Sequence, residues 1–206
     1  MTTEPFVHAG QREEANHLGM WLFLATEAMM FGALFFALTV VRLRMPEGVR
    51  LASGHLDKLL GTLNTGVLLT SSLLVALAVT AARQGRQERT AGLLAGAAGL
   101  GVVFLAIKAY EYVTEFREGL MPGPGFRLAD KPGAELFFNL YYAATGLHAL
   151  HLTIGVLLML GLSARVLGGY LKVPERSTSV ELPGLYWHVV DIVWVFLYPT
   201  LYLVSR

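Results

Sequence analysis

Of the 206 residues in this chain, 54% are hydrophobic and only 15% charged, with a mean hydropathy of +0.54, whereas a soluble domain carries about a quarter charged residues. The absence of cysteine excludes disulfides, thiolate ligands and redox thiols. A formal net charge of +1 excludes the broad basic field that nucleic acid requires.

Crossing a bilayer core takes about twenty predominantly apolar residues. Stretches of that kind occupy residues 15–41, 58–82, 90–117, 134–165 and 182–204, which predicts an all-α integral membrane bundle of five spans in a single transmembrane domain, 1–206. The first sixteen residues hold Glu4, Glu13 and Glu14 against Arg12 alone, and the apolar run after them is longer than a signal-peptide core, so the first span is expected to be retained. The segments RLRMPEGVRLASGHLDK, EFREGLMPGPGFRLADKPG and GGYLKVPERSTS cluster Pro, Gly and charge and read as loops. Lys and Arg divide seven to eight between the two sides, so charge alone leaves the orientation open. Small residues at Gly92 and Gly96, and at Ala25 and Gly32, are expected to permit close helix packing.

In the first span, WLFLATEAMMFGALFFA, Glu27 lies deep in apolar sequence with no basic residue within two turns. An unpaired acid in hydrocarbon tends to keep its proton, and Glu27 is expected to donate it to a backbone or side-chain oxygen. In the third span Lys108, Glu111 and Glu115 fall on one helical stripe, where Lys108 and Glu111 are placed to pair. In the fourth, His148 and His151 stand three apart, a spacing open to metal chelation or to structural use.

The last span carries the largest anomaly. A centred Asp costs about 2.5–3.5 kcal/mol to insert, while each Leu, Ile, Val or Phe returns roughly 0.3–0.6 kcal/mol. The ten such residues of GLYWHVVDIVWVFLYPTLYL therefore outweigh Asp191, yet its penalty persists unless it faces protein, water or a partner. His188 shares a face with Asp191, and an imidazole N–H is placed to bond the carboxylate. Trp187 and Trp194 flank the acid on the same periodicity.

Three functional readings follow from these residues. Inward carboxylates and imidazoles suit a metal-binding enzyme, but paired Glu-x-x-His repeats on separate helices are missing. A small transporter would use the same groups as an ion path, without the matching broken spans such folds display. The third reading makes them fasteners in a bundle docked on another protein.

WLFLATEAMMFGALFFA, LLTSS at 68–72, FLAIKAYEY, ATGLHALHLTIG and YWHVVDIVWVFLYPTLYL, in this order, resemble subunit III of the haem-copper oxidases, in its five-span form that lacks the first two helices of the seven-span form. The resemblance is most specific at Trp187, His188, Asp191 and Trp194, and at the His148 and His151 pair. It implies a non-catalytic accessory subunit binding no cofactor of its own. The partner, catalytic subunit I, would carry the haem and the copper or iron, and phospholipid would occupy a cleft between the helices. It also implies a bacterial inner-membrane location with a cytoplasmic N-terminus, and makes Glu27 the buried acid of the first shared helix. Lys108 stands where these oxidase subunits usually have glutamine, and with Pro199 and LNTGVLLTSS it looks more like relatives associated with nitric oxide reductases.

Overall fold

The computed structural model describes residues 9–175 and 177–203, with side chains from residue 14 onward. Six helices follow in order: α1 (Ala9–Arg44), α2 (Pro46–Ser53), α3 (Lys58–Arg83), α4 (Gln87–Arg117), α5 (Ala134–Leu167) and α6 (Thr178–Tyr202). Among the described residues there is no strand, and all the helices except α2 are long and apolar enough to cross a membrane. The chain is a multi-pass membrane protein.

Helix α2 corrects the loop reading of RLRMPEGVRLASGHLDK. Proline opens it where a missing N–H costs nothing, and Gly48, Val49, Ala52 and Ser53 form a buried face against α5 and α1. A Cβ on Gly48 would stand 1.9 Å from the Pro132 carbonyl oxygen, so only glycine allows this approach. Helix α6 starts at Thr178, ahead of the apolar stretch predicted from residue 182. Hydropathy marks burial in hydrocarbon, whereas backbone hydrogen bonding continues through the polar turn Thr178–Glu181.

Helices α3, α4, α5 and α6 form a ring in which each packs on two neighbours, while α1 leans on α5 and α6 from outside. The Asp57 carboxylate accepts from the amides of Leu59 at 2.9 Å and Leu60 at 3.1 Å, capping the start of α3. The α3–α4 turn passes through Gly85 at φ +71°, a conformation glycine adopts without penalty. It is short enough to make α3 and α4 antiparallel.

The closest packing lies away from the expected small-residue pairs. Nothing stands within 4 Å of a Cβ position at Gly92 or Gly32, while Gly96 meets only Leu74 Cδ1 at 3.3 Å. Trp187 instead slots between α4 and α5: a Cβ on Gly101 would meet its ring at 2.9 Å and one on Gly155 at 3.0 Å. The requirement for small residues follows the largest side chain of α6, which no spacing within α4 reveals.

Candidate functional site

The polar side chains inside the bundle divide into three groups, each set by which helix faces which. The first joins α4, α5 and α6. Lys108 is 3% exposed, and its Nζ donates to Glu111 Oε2 at 3.1 Å, Tyr141 OH at 2.9 Å and Tyr202 OH at 2.9 Å. Tyr202 OH donates to Glu111 Oε1 at 2.6 Å, and Tyr141 OH to Glu115 Oε1 at 2.7 Å. The rings of Tyr112, Tyr141, Trp194 and Tyr202 surround the ammonium with centroids 4.9–5.7 Å away, a cation–π cage that adds to the hydrogen bonds. The predicted Lys108–Glu111 pair is present. Tyr141 and Tyr202, which bond both members of the pair, come from other helices and lay outside the sequence reading, although the aromatic enrichment of FFNLYYAATG and FLYPTLYL was visible there.

The second group stitches α6 to α3. His188 Nδ1 lies 2.6 Å from Ser72 Oγ, Trp187 Nε1 donates to Ser71 Oγ at 3.1 Å, and Trp194 Nε1 donates to Thr65 Oγ1 at 3.1 Å. Here the structure corrects the His188–Asp191 bond. The imidazole turns to α3, and both carboxyl oxygens of Asp191 are buried without a hydrogen bond, with Ser72 as a polar neighbour. Asp191 faces the protein interior at 3% exposure. Residues 63–72, quoted in the sequence only as part of a resemblance, supply the hydroxyls. Serine in an apolar helix is the signal that locates them.

The third group ties α1 to α5. Glu27 Oε2 is 2.8 Å from His151 Nε2, at ion-pair distance but out of line for a hydrogen bond. The expected partner for Glu27 was an oxygen; it is a nitrogen, supplied by a helix more than a hundred residues away. His151 Nδ1 is 2.8 Å from Leu147 O. A carbonyl only accepts, so Nδ1 carries a hydrogen and Nε2 faces the acid.

His148 does not join its neighbour in a chelate. Its ring is fully buried against Phe104 and Trp194, with both nitrogens unbonded, while His151 meets Glu27 and Phe31. Among the described residues no three His, Asp or Glu side chains are grouped to hold a metal ion.

Alongside α1 runs an apolar groove of about 450 Å³, lined by Trp21, Leu24, Phe31 and Phe35 and by Val189, Val193 and Phe196 of α6. Glu27 sits one residue from its Ala28 wall. A second hollow of about 390 Å³ lies near the α1 end, between His17, Arg83, Glu181 and His188. Arg83 Nε pairs with Glu181 Oε1 there at 2.9 Å.

Fold and interior thus define a helical membrane protein whose spans are tied together by polar side chains. Residues 5–206 match the family model described as Cytochrome c oxidase subunit III. The chain belongs to the cytochrome c oxidase subunit III family. It is 32% identical over 201 residues to cytochrome c oxidase subunit 3 of Thermostichus vulcanus, covering 97% of this chain and 92% of the relative. To a probable quinol oxidase subunit 3 of Staphylococcus epidermidis it is 28% identical over 208 residues, covering 99% and 94%. A heme-copper oxidase subunit I+III of Aeropyrum pernix is 32% identical over 191 residues, which are 90% of this chain and 22% of that longer protein.

Proposed function

We propose that the chain is the non-catalytic subunit III of a haem-copper respiratory oxidase, docked on a catalytic subunit I that carries the haem and copper. The family match across residues 5–206 carries this reading. A relative in which subunits I and III are one polypeptide supports the partnership, because fusion requires the two parts to sit side by side. The interior supports a supporting role: Lys108, Glu111, His188, Trp187 and Trp194 all bond within the chain, which leaves an outer surface of exposed leucines, valines and phenylalanines for lipid or partner.

Within this reading the α1–α6 groove takes phospholipid acyl chains, with Glu27 and His151 at its border, and the chain lies in the bacterial inner membrane with its N-terminus in the cytoplasm. Native sequence lacks cysteine, so a single introduced thiol near residue 9 should react with a membrane-impermeant maleimide only after the cells are opened.

A second reading, in which the partner reduces nitric oxide, rests on Lys108 and Pro199. The main test is mild-detergent purification from the native membrane. Haem should co-elute with the chain and be absent from the chain alone, and the complex should consume oxygen. Recovery of a lone polypeptide with its own stoichiometric metal would overturn the accessory reading, and nitric oxide consumption without oxygen consumption would select the second.

A further inference from the structure

Among the hydroxyl side chains of α3, Thr62, Thr65, Thr70, Ser71 and Thr80 each donate to a carbonyl of their own helix three or four residues back, the ordinary use of such groups inside a helix. Ser72 is the exception. Its Oγ turns to α6 and lies 2.6 Å from His188 Nδ1, and its other polar neighbour is Asp191, on the same face of α6.

A serine hydroxyl has one hydrogen to give and two lone pairs to receive with. At Ser72 both sides are occupied by groups that exchange protons, an imidazole and a carboxyl, and no carbonyl of α3 holds the hydroxyl. The two groups differ in access. His188 is half-buried and its ring lines the hollow between His17, Arg83 and Glu181. With Nδ1 on Ser72, Nε2 is the nitrogen left to that hollow. The Arg83–Glu181 pair, at the end of α3 and the start of α6, marks it as the water-facing end of the bundle.

Asp191, by contrast, is 3% exposed and both its oxygens are buried. Trp187 and Trp194 flank it, and their ring N–H groups are committed to Ser71 and Thr65. The remaining ionisable groups nearby are turned to other partners. Glu27 of α1 meets His151 of α5, and His148 of α5 is packed against Phe104 and Trp194. The row of proton-bearing atoms that leads outward from Asp191 therefore runs through Ser72 and His188.

We propose that Ser72 and His188 form a proton link between the hollow and Asp191, so that this buried acid exchanges its proton with water at the end of the bundle where α1 begins. Inward, Nε2 takes a proton from water in the hollow, Nδ1 gives its hydrogen to Ser72 Oγ, and Ser72 gives its own hydrogen to the Asp191 carboxylate. Each transfer breaks one bond to hydrogen and makes one, leaving the imidazole neutral in its other tautomer and the serine restored. The reverse sequence returns the proton. The inference concerns the chain itself and holds whichever gas its redox partner reduces.

The test is infrared difference spectroscopy of the full chain, in the complex with which it purifies, transferred from H₂O to D₂O. Subtracting the spectrum of Asp191→Asn isolates the C=O band of Asp191. In the wild type this band should shift on deuteration well before the amides of α6 exchange. Ser72→Ala and His188→Phe should each slow the shift by about tenfold or more, and the double variant should be no slower than the slower single one, because both lie on one path. Trp194→Phe removes a different bond between α3 and α6 and should exchange at the wild-type rate, which separates loss of the link from general loosening. His188→Phe carries the result if Ser72→Ala fails to fold. A wild-type rate in His188→Phe or Ser72→Ala, the same change in Trp194→Phe, a wild-type band that deuterates no faster than the amides, or no C=O band distinguishing wild type from Asp191→Asn would each overturn the proposal.

Discussion

Helix α1 and helix α6 are both long apolar spans, yet they are held in opposite ways. Half of the apolar window of α6 is buried in the bundle, against 22% for α1. Helix α6 is bonded to α3 through Ser71, Ser72, Thr65 and Thr62 and to α4 through Tyr202. For α1, the polar tie is Glu27 to His151, with ring contacts from Phe23 to Tyr186 and from Phe31 to His151. Lipid offers no hydrophobic drive between helices, so packing and hydrogen bonds decide association. By that measure α3–α6 form a self-sufficient unit and α1 an attached one, whose remaining apolar surface is available to lipid or to a partner.

Breaking the core should have the largest effect. Trp187→Ala empties the slot between Gly101 and Gly155 and removes the bond to Ser71, which should cost about 3–5 kcal/mol and abolish recovery of folded protein in detergent melts. Close behind is Lys108→Met, which leaves two carboxyls buried without their cation, a change that typically costs about 3–5 kcal/mol. Pairing it with Glu111→Gln should recover much of the loss, and additive losses in a double-mutant cycle would contradict the cage described for Lys108.

Smaller changes separate the two acids. Trp194→Phe gives up the bond to Thr65, worth about 1 kcal/mol, while Asp191→Asn touches a carboxyl that makes no hydrogen bond and should cost less. A greater loss of intact complex in Asp191→Asn would restore the His188–Asp191 pairing that the structure replaces. Least of all should Glu27→Gln disturb the core. Its melt should stay within about 0.5 kcal/mol, while hydrogen exchange in α1 rises; a parallel fall in core stability would erase the distinction between the two regions.

Much of the interior was legible because intramembrane polar residues are expensive and therefore conspicuous. Lys108 with Glu111 could be paired from spacing, since both lie on α4 and a helix brings residues three apart together. The same rule misled at His188 and Asp191: it says which residues are able to meet but not which partner a neighbouring helix offers. Ser72 from α3 engages the imidazole instead. Glu27 seemed unpaired for the complementary reason, that His151 is remote in sequence. Gly92 and Gly96 were expected to mark close packing, but glycine is needed where a tryptophan arrives, at Gly101 and Gly155.

Sequence alone determined the medium, the number of spans and which ionisable residues lie within them, because length and hydropathy measure what a segment costs in hydrocarbon irrespective of its neighbours. Tertiary structure decided the partners: the tyrosine cage of Lys108, the hydroxyls of α3 under α6 and the histidine behind Glu27. Those depend on the rotation and depth of each helix against the others, a property of the packed ring that no single helix encodes.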